Sequence, residues 1–194
     1  MNKKLSIILI CALSLTGGAV QAANLIANGG FDTGDFTSWW TGAYGSGDSV
    51  AIDATNYVSS PGSAVMTYVS SASWTELGQE VMNVGPGNYS LSFQYDPSQW
   101  AAAGVNIKFM DSSWNYVDYA WVQFLNPGSN GNSTGWQSYN MNFTAPSGTG
   151  IIEVKFSDGG WGTLNLDNVA LTPEPATMVL LGIGGLLSLR RKHS

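Results

Sequence analysis

The sequence predicts an all-β fold, a two-sheet β-sandwich, and three observations carry that prediction. Strict apolar–polar alternation recurs through the middle of the chain, as in Tyr89-Ser90-Leu91-Ser92-Phe93-Gln94-Tyr95. Turn-forming residues cluster between the alternating segments, as in Gly85-Pro86-Gly87-Asn88. No stretch of the middle places apolar residues at helical spacing. Period-two alternation marks a strand with one buried face. Strands of that kind bury their apolar faces by stacking one sheet on another.

The elements follow in chain order. Met1 to Ala22 has the layout of a secretory signal peptide: Lys3 and Lys4, an apolar run from Leu5 to Leu15, then Val20-Gln21-Ala22 with small residues where signal peptidase cuts. Cys11 follows Ile10 instead of a small residue, so lipidation there is not expected. The ectodomain, 23–171, offers strands at Ser49–Ala54, Ala64–Val69, Glu76–Val84, Tyr89–Tyr95, Val105–Met110, Ala120–Phe124, Gln137–Phe143, Ile151–Phe156 and Leu164–Leu171. Tyr139, Met141 and Phe143 share one face of their strand. Ile152, Val154 and Phe156 share another, opposite Glu153 and Lys155. In the final strand the apolar parity changes between Leu164/Leu166 and Val169/Leu171, which requires a β-bulge at Asp167-Asn168. Trp39 and Trp40 are adjacent and cannot both face the core; Trp39 and Trp136 are assigned to it. Asn126 to Gly135 reads as a Gly/Asn/Ser-rich loop.

Charge and residue usage exclude much chemistry. All thirteen acids lie between Asp32 and Glu174, against only Lys108 and Lys155 in that span. Such a surface repels phosphate backbones, so nucleic acid is not an expected partner. Cys11 departs with the signal peptide, and the single histidine, His193, lies in the terminal tail. The ectodomain therefore has no means of forming a disulfide, a thiol nucleophile, a His-based triad or a His-ligated zinc site.

The tail, 172–194, has three parts: Pro173-Glu174-Pro175, an apolar helix over 176–189, and a basic stop at Arg190, Arg191 and Lys192. The prolines exclude helix upstream, and the cations stay on the cytoplasmic side. The predicted transmembrane helix spans ~21 Å at ~1.5 Å per residue, short for a ~30 Å hydrocarbon core. Its place between Pro-Glu-Pro and three cations argues for insertion over burial in a core. The tail resembles the PEP-CTERM sorting signal of Gram-negative bacteria, with Thr172 where valine is usual. That resemblance implies export through the inner membrane and cleavage near Pro173-Glu174-Pro175 by an exosortase. The product would reach the cell surface or an exopolysaccharide matrix.

The opening segment, Asn24-Leu25-Ile26-Ala27-Asn28-Gly29-Gly30-Phe31-Asp32 followed by Trp39, and the closing Leu164-Asn165-Leu166-Asp167-Asn168-Val169-Ala170-Leu171 resemble jelly-roll carbohydrate-binding modules. The resemblance implies a structural calcium held by Asp32 and Asp167 with carbonyls near Gly30 or Asn28. The alternative is that Asp167 caps the bulge through hydrogen bonds alone. Mixed oxygen ligands suit calcium.

Eight tryptophans and eight tyrosines supply faces that stack on sugar rings. Trp40, Trp74, Trp100, Trp114 and Trp161 are the candidates for a glycan platform, with Asp111, Asp118 and Asp158 as acceptors for sugar hydroxyls. The leading expectation is a non-catalytic glycan-binding protein. The competitors are a purely structural surface or matrix protein whose tryptophans are all internal, and a glycan-cleaving enzyme, which needs two suitably spaced carboxylates. Ice adsorption is not expected, because repeated Thr-x-Thr rows are missing.

Overall fold

Turn residues cut the alternating segments into strands that pair antiparallel throughout. The computed structural model describes residues 23–69, 74–98, 101–125 and 135–174, all within the unit Ala22–Ala176. The predicted signal peptide, Trp100, residues 126–134, Pro175, the apolar stretch 176–189, and Arg190, Arg191 and Lys192 lie outside the described residues. The strands β1 to β10 are, in chain order, Trp40–Ala43, Ser49–Asp53, Ser63–Tyr68, Thr75–Met82, Gly87–Pro97, Ala103–Met110, Tyr116–Leu125, Gln137–Ala145, Ile151–Asp158 and Gly162–Pro173. One sheet has the order β1-β4-β9-β6-β7 and the other β2-β3-β10-β5-β8. Each segment predicted from alternation is present. The strand β1 was not foreseen, because four residues containing a glycine carry too little alternation to read.

The core lies between the two sheets and is filled by the inward parity of each strand. Leu91, Phe93 and Tyr95 from β5 meet Ile152, Val154 and Phe156 from β9, all buried. Phe93 packs edge-on against Phe156 and Phe124 of the facing sheet, each at 4.9 Å between ring centroids, a favoured aromatic geometry. Trp39 is buried as expected, donating its indole N–H to the Asn28 carbonyl at 3.0 Å and resting on Phe31. Trp136 corrects the expectation. It is only half-buried, and its indole N–H reaches Asn56 Oδ1 at 2.9 Å. It precedes β8 and so never enters that strand's inward row.

The opening and closing segments meet. Leu25 N–H donates to the Leu171 carbonyl at 2.8 Å, Leu171 N–H to Asn24 Oδ1 at 2.9 Å, and Val169 N–H to the Gly29 carbonyl at 2.8 Å. The predicted bulge is present: pairing of β10 with β5 shifts between Asp167 and Ala170. Asn168 takes it up with φ 51°, a left-handed conformation that asparagine tolerates.

Candidate functional site

The outward parity of the first sheet builds a face of aromatic edges and a polar floor. In β4 the inward residues Leu77 and Val81 leave Glu76, Gly78 and Glu80 pointing out. In β9 the same logic turns out Glu153, Lys155 and Ser157, and in β6 Gly104, Asn106 and Lys108. Register aligns one row across all five strands: Trp40, Gly78, Lys155, Asn106 and Trp121. A tryptophan therefore stands at each edge, about four strand spacings or ~19 Å apart.

Glycines make room for the rings. A Cβ on Gly78 would collide with the Trp40 ring, and one on Gly104 with the Trp121 ring. Each indole covers bare backbone, a site where a side chain is missing so that another group can lie close. Trp40 is oriented by its N–H, donated to Glu80 Oε1 at 3.1 Å. Tyr44 covers Gly42 beside them, packs at a tilt against Trp74 with ring centroids 5.4 Å apart, and donates its hydroxyl to Glu76 Oε2 at 3.1 Å. The Glu76 carboxylate holds the Tyr44 phenol above its ordinary value, chiefly by accepting that bond.

The ectodomain's two lysines both sit on this floor, each with a glutamate. Lys155 Nζ lies 2.7 Å from Glu76 Oε1, and Lys108 Nζ 3.2 Å from Glu153 Oε2. Asn106, between the two tryptophans, makes no side-chain hydrogen bond among the described residues. The face offers ring faces at its edges and hydroxyl donors and acceptors between them.

The predicted platform is thus redistributed. Trp40 and Trp74 belong to this face. Trp161, 57% exposed in the β9–β10 turn, shares the end of the sandwich on which Trp74 lies. Trp114, 52% exposed, sits at the opposite end in the β6–β7 turn. Trp121, 49% exposed, was missed. Its signal was available: Ala120, Val122 and Phe124 take the inward parity of β7, which leaves Trp121 outward.

The expected acidic acceptors are committed elsewhere. Asp111 builds the β6–β7 turn, accepting from Ser113 N–H at 2.8 Å, Asn115 N–H at 2.9 Å and Asn115 Nδ2 at 2.8 Å. Those bonds hold its carboxyl below the usual range. Asp118 is exposed on the edge strand β7, where its Oδ1 accepts Tyr119 N–H at 2.8 Å. Asp158 is fully buried, which corrects its assignment to the surface. It closes the inward row of β9, and burial pushes its carboxyl up to about 7, with Asp48 adding to the rise. Its Oδ2 and the Oγ1 of Thr75, its partner across the β4–β9 ladder, are buried without hydrogen bonds.

Asp167 is also fully buried, at the bulge. Its Oδ2 accepts N–H from Val58 and Ser59, each at 2.8 Å, and its Oδ1 accepts the Ser59 hydroxyl at 2.9 Å and Asn168 N–H at 2.7 Å. Four donors fill the acceptor positions of a carboxylate. Ser59 Oγ also lies 3.2 Å from the Gly30 carbonyl, so a hydroxyl stands where a cation shared with Gly30 would sit. Asp32 is exposed and lies against Gly30, in a surface hollow that Asp167 does not line. The residues fit a hydrogen-bond knot that straps the β2–β3 loop to β10, and they do not fit a calcium shared by Asp32 and Asp167.

The first residues of the Pro-Glu-Pro segment are part of the sheet. Pro173 ends β10 opposite Tyr89, and Glu174 N–H donates to the Asn88 carbonyl at 2.9 Å.

Comparison with known proteins bears on both parts of the chain. Residues 171–192 match the PEP-CTERM protein-sorting motif. Over 165 residues, 84% of this chain, the sequence is 30% identical to the multifunctional-autoprocessing repeats-in-toxin of Vibrio cholerae serotype O1, of which the match spans 3%. The enzymatically active domain of bacteriophage CBA120 tailspike protein 4 superposes with a TM-score of 0.64 at 19% identity, over 77% of this chain and 21% of that one. TmCBM61, solved with beta-1,4-galactotriose, gives 0.55 at 20% identity over 79% of this chain and 100% of that one. The CBM22-1 xylan-binding domain of Paenibacillus barcinonensis Xyn10C gives 0.56 at 13% identity, over 79% and 96%. At these identities the likeness is one of fold.

Proposed function

From a chain that ends in a PEP-CTERM protein-sorting motif, which implies export and exosortase processing, and that folds as carbohydrate-binding modules do, we propose a surface or matrix protein that binds glycan without cleaving it. The ligand lies across the outer face of the first sheet, between Trp40 and Trp121. One observation carries this reading: two tryptophans occupy the ends of a single five-strand row, each over a glycine, with Asn106 and Lys155 between them. Sugar rings present C–H faces to indoles and hydroxyls to amides and carboxylates, and this face supplies both. Absence of cleavage is supported by the commitments of the glutamates. Glu76 and Glu153 are paired with lysines and Glu80 holds the Trp40 indole, so each glutamate of this face is already engaged, whereas cleavage needs two carboxylates available as acid and nucleophile.

The test is retention of the exported protein on immobilised β-1,4-galactan, xylan and the exopolysaccharide of the producing cells. Trp121→Ala or Trp40→Ala weakens retention at least about tenfold, ~1.4 kcal/mol, whereas Trp114→Ala leaves it unchanged. A wild type retained on none of the three, or a Trp121→Ala protein retained like wild type, overturns the proposal.

A further inference from the structure

Sheet edges expose unpaired N–H and C=O groups, and proteins guard them with charge, proline, bulges or short length. Three of the four edge strands are guarded. The strand β1 has four residues. The strand β2 has five and ends in Asp53. The strand β7 carries Asp118, and its pairing with β6 shifts register near both ends.

The fourth, β8, has no guard. Gln137–Ala145 runs nine residues without charge, proline or glycine, and it pairs with β5 in unbroken register. Among the described residues, no backbone group bonds its outer edge. Its outward side chains, Ser138, Asn140, Asn142 and Thr144, are exposed, and its inward Tyr139, Met141 and Phe143 are only half-buried. The neighbouring outward residues of β5, Ser90, Ser92 and Gln94, are uncharged as well.

We infer that β8 is the surface through which two copies of this chain associate, edge to edge, joining their second sheets into one continuous antiparallel sheet. Charge selects the partner. Thirteen acids make two copies repel, and β8 is the long edge on which they meet without opposing carboxylates. The strand is also self-complementary about Met141. In a two-fold antiparallel pairing, Asn140 faces Asn142 of the partner subunit and Ser138 faces Thr144 of the partner subunit, giving amide–amide and hydroxyl–hydroxyl pairs. On the inner side Tyr139 meets Phe143 of the partner subunit, and the half-buried row of each copy gains cover.

Sedimentation velocity of the full-length chain in detergent tests this, over a protein concentration range of about 1 to 100 µM. The wild type reversibly dimerises. Asn142→Lys, at an exposed position that leaves the fold intact, opposes cations near the two-fold and raises the dissociation constant at least about tenfold. Ser92→Lys, one strand inward on the same face, leaves it within about twofold. A wild type that stays monomeric throughout, a dimer unaffected by Asn142→Lys, or one disrupted equally by Ser92→Lys overturns the inference. The last two outcomes would place any contact on another surface, including the tryptophan face.

Discussion

Asp158 shows how one position can make stability depend on pH. Its carboxyl has an ordinary value of 3.8 and is pushed up to about 7 by burial, where Oδ2 finds no donor. Between those values the folded chain holds a proton that the unfolded chain has released. Stability from this group is therefore complete below pH 3.8 and declines as pH rises, until it is lost above about 7. At about 1.4 kcal/mol for each pH unit, the change is on the order of 4 kcal/mol. The exposed Asp35 and the half-buried Asp53 and Asp111 have lowered values and act in the opposite sense, but only near and below their ordinary range. Urea unfolding of the wild type between pH 4 and 8 is expected to show the decline, and Asp158→Asn to flatten it. A wild type equally stable at both ends contradicts this account. Parity places residue 158 inward once Phe156 is known to be, yet aspartate residues are rarely fully buried. Sequence reasoning followed residue type and put it at the surface.

At the scale of elements, β10 runs from the folded sandwich into the sorting motif. It pairs with β5 on one side and, on the other, with β3 over its first half and with the opening segment at Val169 and Leu171, and its last pairs reach Pro173 inside the sorting motif. A protease takes its substrate as free extended chain, so an exosortase cutting near Pro173-Glu174-Pro175 would require Pro173 and Glu174 to leave the sheet first. Inserting six Gly/Ser residues between Leu171 and Thr172 is expected to raise the cleaved fraction several-fold in cells carrying an exosortase, read by mass spectrometry of the surface protein. No change would mean that cutting precedes folding. Strand identity was largely legible, because Tyr89–Tyr95, Gln137–Phe143 and Ile151–Phe156 alternate cleanly. The bulge was legible too, since a parity change has no other solution in a continuous strand. The strand β1 was not, being too short to display a period.

For the molecule as a whole, closure depends on the two ends of the ectodomain finding each other. Asn24 and Leu25 zip onto Leu171, while Asp167 gathers Val58 and Ser59 of the β2–β3 loop. No cysteine lies among the described residues, and the Asp167 knot is complete with protein donors. The melting temperature is accordingly expected to be the same with millimolar calcium and with excess chelator. Asp167→Ala should cost roughly 3 kcal/mol or more, since it strands buried N–H groups. A melting temperature that rises with calcium would restore the metal reading.

Composition and periodicity alone determined the all-β class, the strand sequence apart from β1, the acidic thiol-free ectodomain and the tripartite tail. These depend on local spacing, which a linear chain displays. Tertiary structure decided which tryptophans share a face, that Trp121 faces Trp40 across five strands, that Asp158 is sealed and that β8 ends its sheet with one partner among the described residues. Each of these is a relation between strands far apart in the chain. It follows from strand order and register, which are set by how the sheets pair and not by any one segment.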